Sequence, residues 1–181
     1  VYTYYGSYLS FTFWPQVHAI RNDIPYYYDK GAIGLYSETH QHWGTQHLNF
    51  IVFPRLLWDV HTDVDAWIDD FCEKFYGPAA EPMHSYYELL EKTAQDGPPQ
   101  YHYHSGIVAI FTPGVMTQLR QIIEEAKSRV AGADEVYQKR MQFVADGFRM
   151  ADLYISANHL KAEYAKTKDE TIRQRMIDMY K

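Results

Sequence analysis

The sequence predicts a mixed α and β chain dominated by helices, and three observations predict it. The opening residues Val1-Tyr-Thr-Tyr-Tyr-Gly-Ser-Tyr-Leu9 are β-branched and aromatic, a composition that suits a pleated surface. Ala32-Ile33-Gly34-Leu35-Tyr36 is a second short apolar run, reached through a helix-like segment. From Thr45 onward, apolar residues recur at helical spacing almost to the end.

The elements follow in order. Residues 1–9 read as a strand that Gly6 ends, and Pro15 breaks the chain after Trp14. Asn22 or Asp23 caps a short helix over residues 24–30, with Pro25 in its first turn and Gly31 as its stop. The nearly all-apolar run 32–36 suits a strand covered on both faces, so strand, helix and strand make one βαβ unit. Leu48, Ile51, Val52, Leu56 and Leu57 continue as helix, kinked or interrupted at Pro54. Asp63 (or Thr62) caps the next helix, whose apolar stripe is Trp67, Ile68, Phe71, Cys72 and Phe75, closed by Gly77-Pro78. A further helix spans about 79–93, and Asp96-Gly-Pro-Pro-Gln100 is a loop. Thr112 caps a helix over about 113–130, and the last helix starts near Asp134 and runs toward the C-terminus. The chain divides into residues 1–44, with the strands, and a helical region 45–181.

Composition removes several function classes. Hydrophobic residues make up 46% of the 181, so the chain buries a core rather than staying disordered. Tyrosine is in excess, 17 against 9 phenylalanines, and its apolar face with a polar tip suits half-wet grooves. The formal charge of −6 comes from interspersed acids and bases, with no basic stripe to neutralise phosphates, so no nucleic-acid partner is expected. No apolar run approaches the length of a membrane span, and no membrane partner is expected. A single cysteine, Cys72, excludes an intramolecular disulfide framework. The opening Val-Tyr-Thr-Tyr-Tyr, without an initiator methionine, reads as a piece of a longer protein.

The unusual chemistry lies in Gly31-Ala-Ile-Gly-Leu-Tyr-Ser-Glu-Thr-His-Gln-His-Trp-Gly44, where an apolar run ends in Tyr36, Glu38, His40, His42 and Trp43. In parallel α/β folds ligands bind beyond the carboxyl ends of strands. A carboxylate there accepts hydrogen bonds from sugar hydroxyls, while Tyr36 and Trp43 stack on a sugar's apolar C–H face. The competing reading leaves Glu38 as a local cap or salt-bridge partner. Tyr4, Tyr5, Gly6 and Tyr8 form a second aromatic cluster, either packing or pocket wall. His40-x-His42, His47 and His102-x-His104 have spacings that zinc uses, but helical His-x-x-x-His and cysteine pairs are missing; no metal and no cofactor are expected. Trp58-Asp59 either approaches the strand ends or packs between helices, and Cys72 on its apolar stripe reads as a small buried hydrophobe.

Several segments together resemble the family called domain of unknown function 4838, grouped around glycoside hydrolase family 163. They are Asp29-Lys-Gly-Ala-Ile-Gly-Leu-Tyr-Ser-Glu38, Pro54-Arg-Leu-Leu-Trp-Asp59, Asp63-Val-Asp-Ala-Trp-Ile-Asp-Asp-Phe71, Phe75-Tyr-Gly-Pro-Ala-Ala80 and Tyr86-Tyr87. Tyr137-Gln-Lys-Arg-Met141 is similar to the family's closing helices.

The resemblance implies the last βα units of a (β/α)8 barrel followed by an all-helical domain. It also implies a parent glycoside hydrolase acting on complex glycans, in some members with N-acetylglucosamine at the cleaved bond. Its partners would be the glycan and the rest of the parent barrel, and its location extracytoplasmic, periplasmic or secreted. The acid/base carboxylates are expected on earlier strands, upstream of Val1, so this chain alone is expected to be inactive. Glycoside hydrolysis ordinarily uses two carboxylates. The substrate contacts left to this chain are Glu38, Tyr5, Tyr36, His42 and Trp43. The alternative is a non-catalytic helical interaction or carbohydrate-binding module.

Overall fold

The computed structural model describes residues 1–6, 12–38, 43–98 and 106–179. Two strands, β1 (Tyr2–Thr3) and β2 (Tyr36–Ser37), pair in parallel with Tyr2 opposite Tyr36 and Thr3 opposite Ser37. Helix α1 (Val17–Asp29) lies between them in sequence. After β2 come α2 (Trp43–Trp58), α3 (Val64–Tyr76), a 3-10 turn at Gly77–Ala79 and α4 (Ala80–Asp96). The chain closes with α5 (Gly106–Ile110), α6 (Pro113–Val130), α7 (Glu135–Thr167) and α8 (Glu170–Asp178).

This is an all-helical fold, which corrects the expected mixed α/β class and its barrel units. The two strands are neighbours and parallel as expected, but each is two residues long. The run 32–36 is not covered on both faces: Ile33, Gly34 and Tyr36 are exposed, so burial never drives that run into a sheet. Two strands alone bury too little to stand as a layer. They sit instead as a small attachment on helices that carry the core.

Local chemistry explains most boundaries. Asp63 accepts from the Asp65 and Ala66 amides, both at 3.1 Å, and starts α3. Thr112 accepts from Val115 N at 3.3 Å and starts α6; Asp134 accepts from Val136 N at 2.9 Å and starts α7. Gly31, with φ +81°, stops α1.

Two boundaries differ from expectation. Helix α1 begins at Val17 rather than near residue 24, on the apolar stripe Val17, Ile20 and Ile24, so Pro25 lies inside it. Its start is capped from a distance. The Glu91 carboxylate on α4 accepts from Val17 N (3.0 Å) and His18 N (3.1 Å) and meets His18 Nδ1 at 2.8 Å. Helix α2 keeps Pro54 inside it, so of the two alternatives expected there the interruption is the one set aside. The helix expected to run toward the C-terminus, α7, ends at Thr167; Lys168 after it adopts φ +56°, and Asp169 then caps α8.

One cluster of buried side chains runs through both halves of the chain, from Tyr5, Phe13 and Ile20 through Val52 and Tyr86 to Ile155. Helix α4 packs on α3 and α6, while α2 packs on α1 and α7. The segment after β1 is fastened to this core by Asn49, which is buried in α2. Its Nδ2 donates to the Tyr5 and Trp14 carbonyls (2.8 and 2.7 Å), and its Oδ1 accepts from Gln16 N at 3.1 Å.

Candidate functional site

Strand alternation sorts the residues at the two strands onto two faces. Tyr2 and Tyr4 share one face of β1, and Tyr36 and Glu38 share the same face of β2. The Tyr2 and Tyr36 rings stack with centroids 5.3 Å apart and planes at 29°, and Tyr4 tilts onto Tyr2 at 4.8 Å. The Tyr2 hydroxyl donates a short hydrogen bond to the Glu38 carboxylate, which holds that phenol above its ordinary range. These rings remain open to solvent, Tyr36 most of all at 65% exposure.

The other face turns inward. Tyr5 is buried; its ring leans on Phe53 at 5.2 Å and its hydroxyl donates to Asp23 at 3.1 Å. Its backbone N–H donates to Ser37 Oγ at 3.3 Å. Burial, with the Asp23 carboxylate second, raises the Tyr5 phenol well above its usual value. Of the expected contacts, Tyr36 and Glu38 therefore come together with Tyr2, while Tyr5 supports them from beneath. The missed residue was Tyr2, and period-two spacing from Tyr4 was the signal that could have found it.

Trp43 opens α2, half-exposed, and leans on Phe50 at 5.3 Å rather than on Glu38. His40, His42, Tyr8, His102 and His104 lie outside the described residues. Among the described residues no group of three or more histidine, cysteine or acidic side chains is arranged to hold a metal. Cys72 is buried, and burial pushes its thiol up to about 12, well out of nucleophilic range. Trp58, at 86% exposure, stands in solvent at the end of α2.

Beneath Trp43 lies a polar relay that the sequence reading did not single out. His47 Nδ1 donates to the Trp43 carbonyl at 2.7 Å, one helical turn back, which fixes the tautomer and leaves Nε2 as acceptor. Nε2 meets the Tyr87 hydroxyl at 2.5 Å and the Tyr76 hydroxyl at 3.1 Å, and the two hydroxyls lie 2.5 Å apart, so the phenols share their protons among themselves and Nε2. Burial lowers the His47 pKa to about 4 and raises both phenols. The relay is neutral and internally satisfied, so it holds α2, α3 and α4 in register rather than offering a reactive group.

A cavity of about 280 Å³ between α1, α2, α3 and α4 has a floor of Val17, Leu48 and Ile68 and a charged rim. Most rim carboxylates are engaged within the fold: Asp65 pairs with Arg21 (2.6 Å), Asp69 with His84 (2.9 Å) and Glu91 with His18. The tyrosine face with Glu38 is the stronger candidate, because its groups point outward.

A family model described as domain of unknown function (DUF4838) matches residues 1–88. The matched stretch carries both strands, α1 to α3, Glu38, and all three members of the His47 relay. No curated protein and no solved structure matches the chain.

Proposed function

We propose, from the premise that this chain belongs to the DUF4838 family through its residues 1–88, that it supplies a glycan-contacting edge and its helical support within a glycoside hydrolase-like protein acting on complex glycans. The observation that carries this reading is the outward face where Tyr36 stacks on Tyr2 and Tyr2 fixes Glu38. The open Tyr36 ring covers the apolar face of a pyranose, and the carboxylate accepts its hydroxyl protons. Held by the Tyr2 hydroxyl, the Glu38 carboxylate serves as an acceptor, and the proposed role is contact, not bond cleavage.

The test is titration of the chain with neutral oligosaccharides, followed by ligand-observed NMR. Weak, saturable binding is expected, reduced about tenfold by Tyr36→Ala. Absence of binding across neutral glycans, or full retention by Tyr36→Ala, defeats the reading.

A second reading, a helical interaction module, is favoured by Trp58, which is 86% exposed beside the partly exposed Leu57. It predicts that Trp58→Ala abolishes association with a protein partner and leaves sugar titrations flat.

A further inference from the structure

We infer that the Tyr36–Glu38 face selects neutral sugars over acidic ones, an inference that rests on the glycan-contacting reading of that face. Glu38 stands on the same side of β2 as Tyr36, and the Tyr2 hydroxyl holds its carboxylate beside the ring stack. A sugar lying on Tyr36 therefore brings its exocyclic substituent and ring hydroxyls toward a fixed acceptor. Hydroxyls answer that acceptor with O–H donors. A uronate or sialate carboxylate offers acceptors only, and places a second negative charge within a few ångströms of the first.

The cations in the described part of residues 1–38 do not compensate. Carboxylates in the described part of residues 1–38 are Asp23, Asp29 and Glu38. The cations of that stretch are engaged elsewhere. Arg21 grips Asp65 on α3 through two bonds of 3.2 and 2.6 Å. Lys30 lies over the Tyr26 ring at 5.5 Å, and His18 pairs with Glu91. The Val1 nitrogen donates to the Gly34 carbonyl at 3.0 Å. An acidic sugar on Tyr36 would have to draw one of these away from its present partner.

The experiment is frontal affinity chromatography of the immobilised chain. Its probes are matched hexose tetrasaccharides that differ only in carrying a hydroxymethyl group or a carboxylate at the exocyclic carbon. Work at about pH 8.5 keeps ordinary histidine side chains and most α-amino groups neutral. The neutral member of a pair should be retained at least about tenfold more strongly at low ionic strength. That ratio should shrink several-fold at about 0.5 M salt. Glu38→Gln should bring the pair within about threefold of each other. Equal or stronger retention of the acidic member overturns the selectivity and leaves the glycan reading standing. A selectivity that survives Glu38→Gln also overturns it, by assigning the discrimination to another group. Retention of neither member of any pair overturns this inference and the glycan reading together.

Discussion

Gly44 and Gly147 meet backbone to backbone where α2 crosses α7. A Cβ on Gly147 would lie 2.5 Å from the Gly44 carbonyl carbon and 2.7 Å from its oxygen, with Gly44 Cα at 2.8 Å. From the other side, a Cβ on Gly44 would lie 3.0 Å from Gly147 Cα and 3.2 Å from the Phe143 carbonyl oxygen. The contact lets α7 press against the first turn of α2, the turn that carries Trp43 and, one turn later, His47.

The two glycines should therefore respond unequally to alanine. In an open helix Gly→Ala gains up to about 1 kcal/mol. At Gly147 the new methyl meets backbone, which has no rotamer to change, and overpacking costs roughly 2–3 kcal/mol. Gly147→Ala should be net destabilising, Gly44→Ala less so, and Gly132→Ala, with nothing within 4 Å, near neutral. Denaturant titration ranks the three, and a Gly147→Ala protein as stable as the parent would show that the helices do not approach this closely.

Gly77 is constrained twice. Its φ of +53° with ψ of −114° is a conformation essentially confined to glycine, and a Cβ there would lie 2.7 Å from the Tyr137 ring. Gly77→Ala should cost roughly 2–4 kcal/mol, part backbone strain and part collision. Adding Tyr137→Ala should recover the collision and not the strain, so the double mutant stays about 1–3 kcal/mol below Tyr137→Ala alone. Full recovery in the double mutant would refute the backbone part.

Asn49 predicts a local effect as well as a global one. Truncation to alanine orphans the Tyr5 and Trp14 carbonyls and the Gln16 amide at once. The expected loss is roughly 2–4 kcal/mol, because buried groups are left unpaired rather than returned to water. Hydrogen exchange at the Gln16 amide should accelerate beyond the change at amides in α6. Uniform acceleration across both would mean that Asn49 is an ordinary core residue and not the fastening of this segment.

What the sequence disclosed, and what it hid, divides by distance. Asp63, Thr112 and Asp134 cap through amides two or three residues on, and Gly31 and Gly77 act on their own turns, so local spacing exposes them. The start of α1 depends on Glu91, more than seventy residues away, and no window around Val17 contains that information. Parity decided the site. Tyr36 and Glu38 are two apart and share a face, whereas Tyr5, an odd step from Tyr2 and Tyr4, turns inward to Asp23. The strand reading failed at Ile33 for a physical reason: apolar character favours a strand only when something covers it, and Ile33 is bare. The structural role of His47 was hidden because its partners, Tyr76 and Tyr87, come from two other helices.

The relay around His47 makes stability depend on pH. Its folded pKa is lowered to about 4 from the ordinary 6.5, so between those values the unfolded chain binds the proton and the folded chain does not. Stability from this group is fully present above about pH 6.5, falls as pH drops through the window, and levels off below about pH 4. The drop amounts to roughly 3 kcal/mol. His47→Gln, which keeps an acceptor for Tyr87 and removes the titration, should flatten this part of the profile. Parallel profiles for the two proteins would show that His47 is not buried as a neutral ring.

The last prediction separates the roles of Tyr2 and Glu38 on the outward face. Tyr2→Phe keeps the ring that stacks on Tyr36 and removes only the proton donated to Glu38. Both side chains are surface groups, so neither Tyr2→Phe nor Glu38→Gln should move the melting temperature by more than about 1–2 °C. Sugar affinity should respond differently. Glu38→Gln weakens a charge-assisted acceptor and should cost about tenfold. Tyr2→Phe leaves the carboxylate in place but lets it rotate, and the entropy of fixing it again on binding should cost about three- to fivefold. In Glu38→Gln, removing the Tyr2 hydroxyl should cost little more, because the hydroxyl acts through the carboxylate it holds. Tyr28→Phe, a change at an exposed tyrosine on α1, serves as the control and should leave affinity unchanged. Ligand-observed NMR with one neutral oligosaccharide measures all four variants. If Tyr2→Phe and Glu38→Gln prove independent and additive, the hydroxyl touches sugar directly and is not the group that positions Glu38.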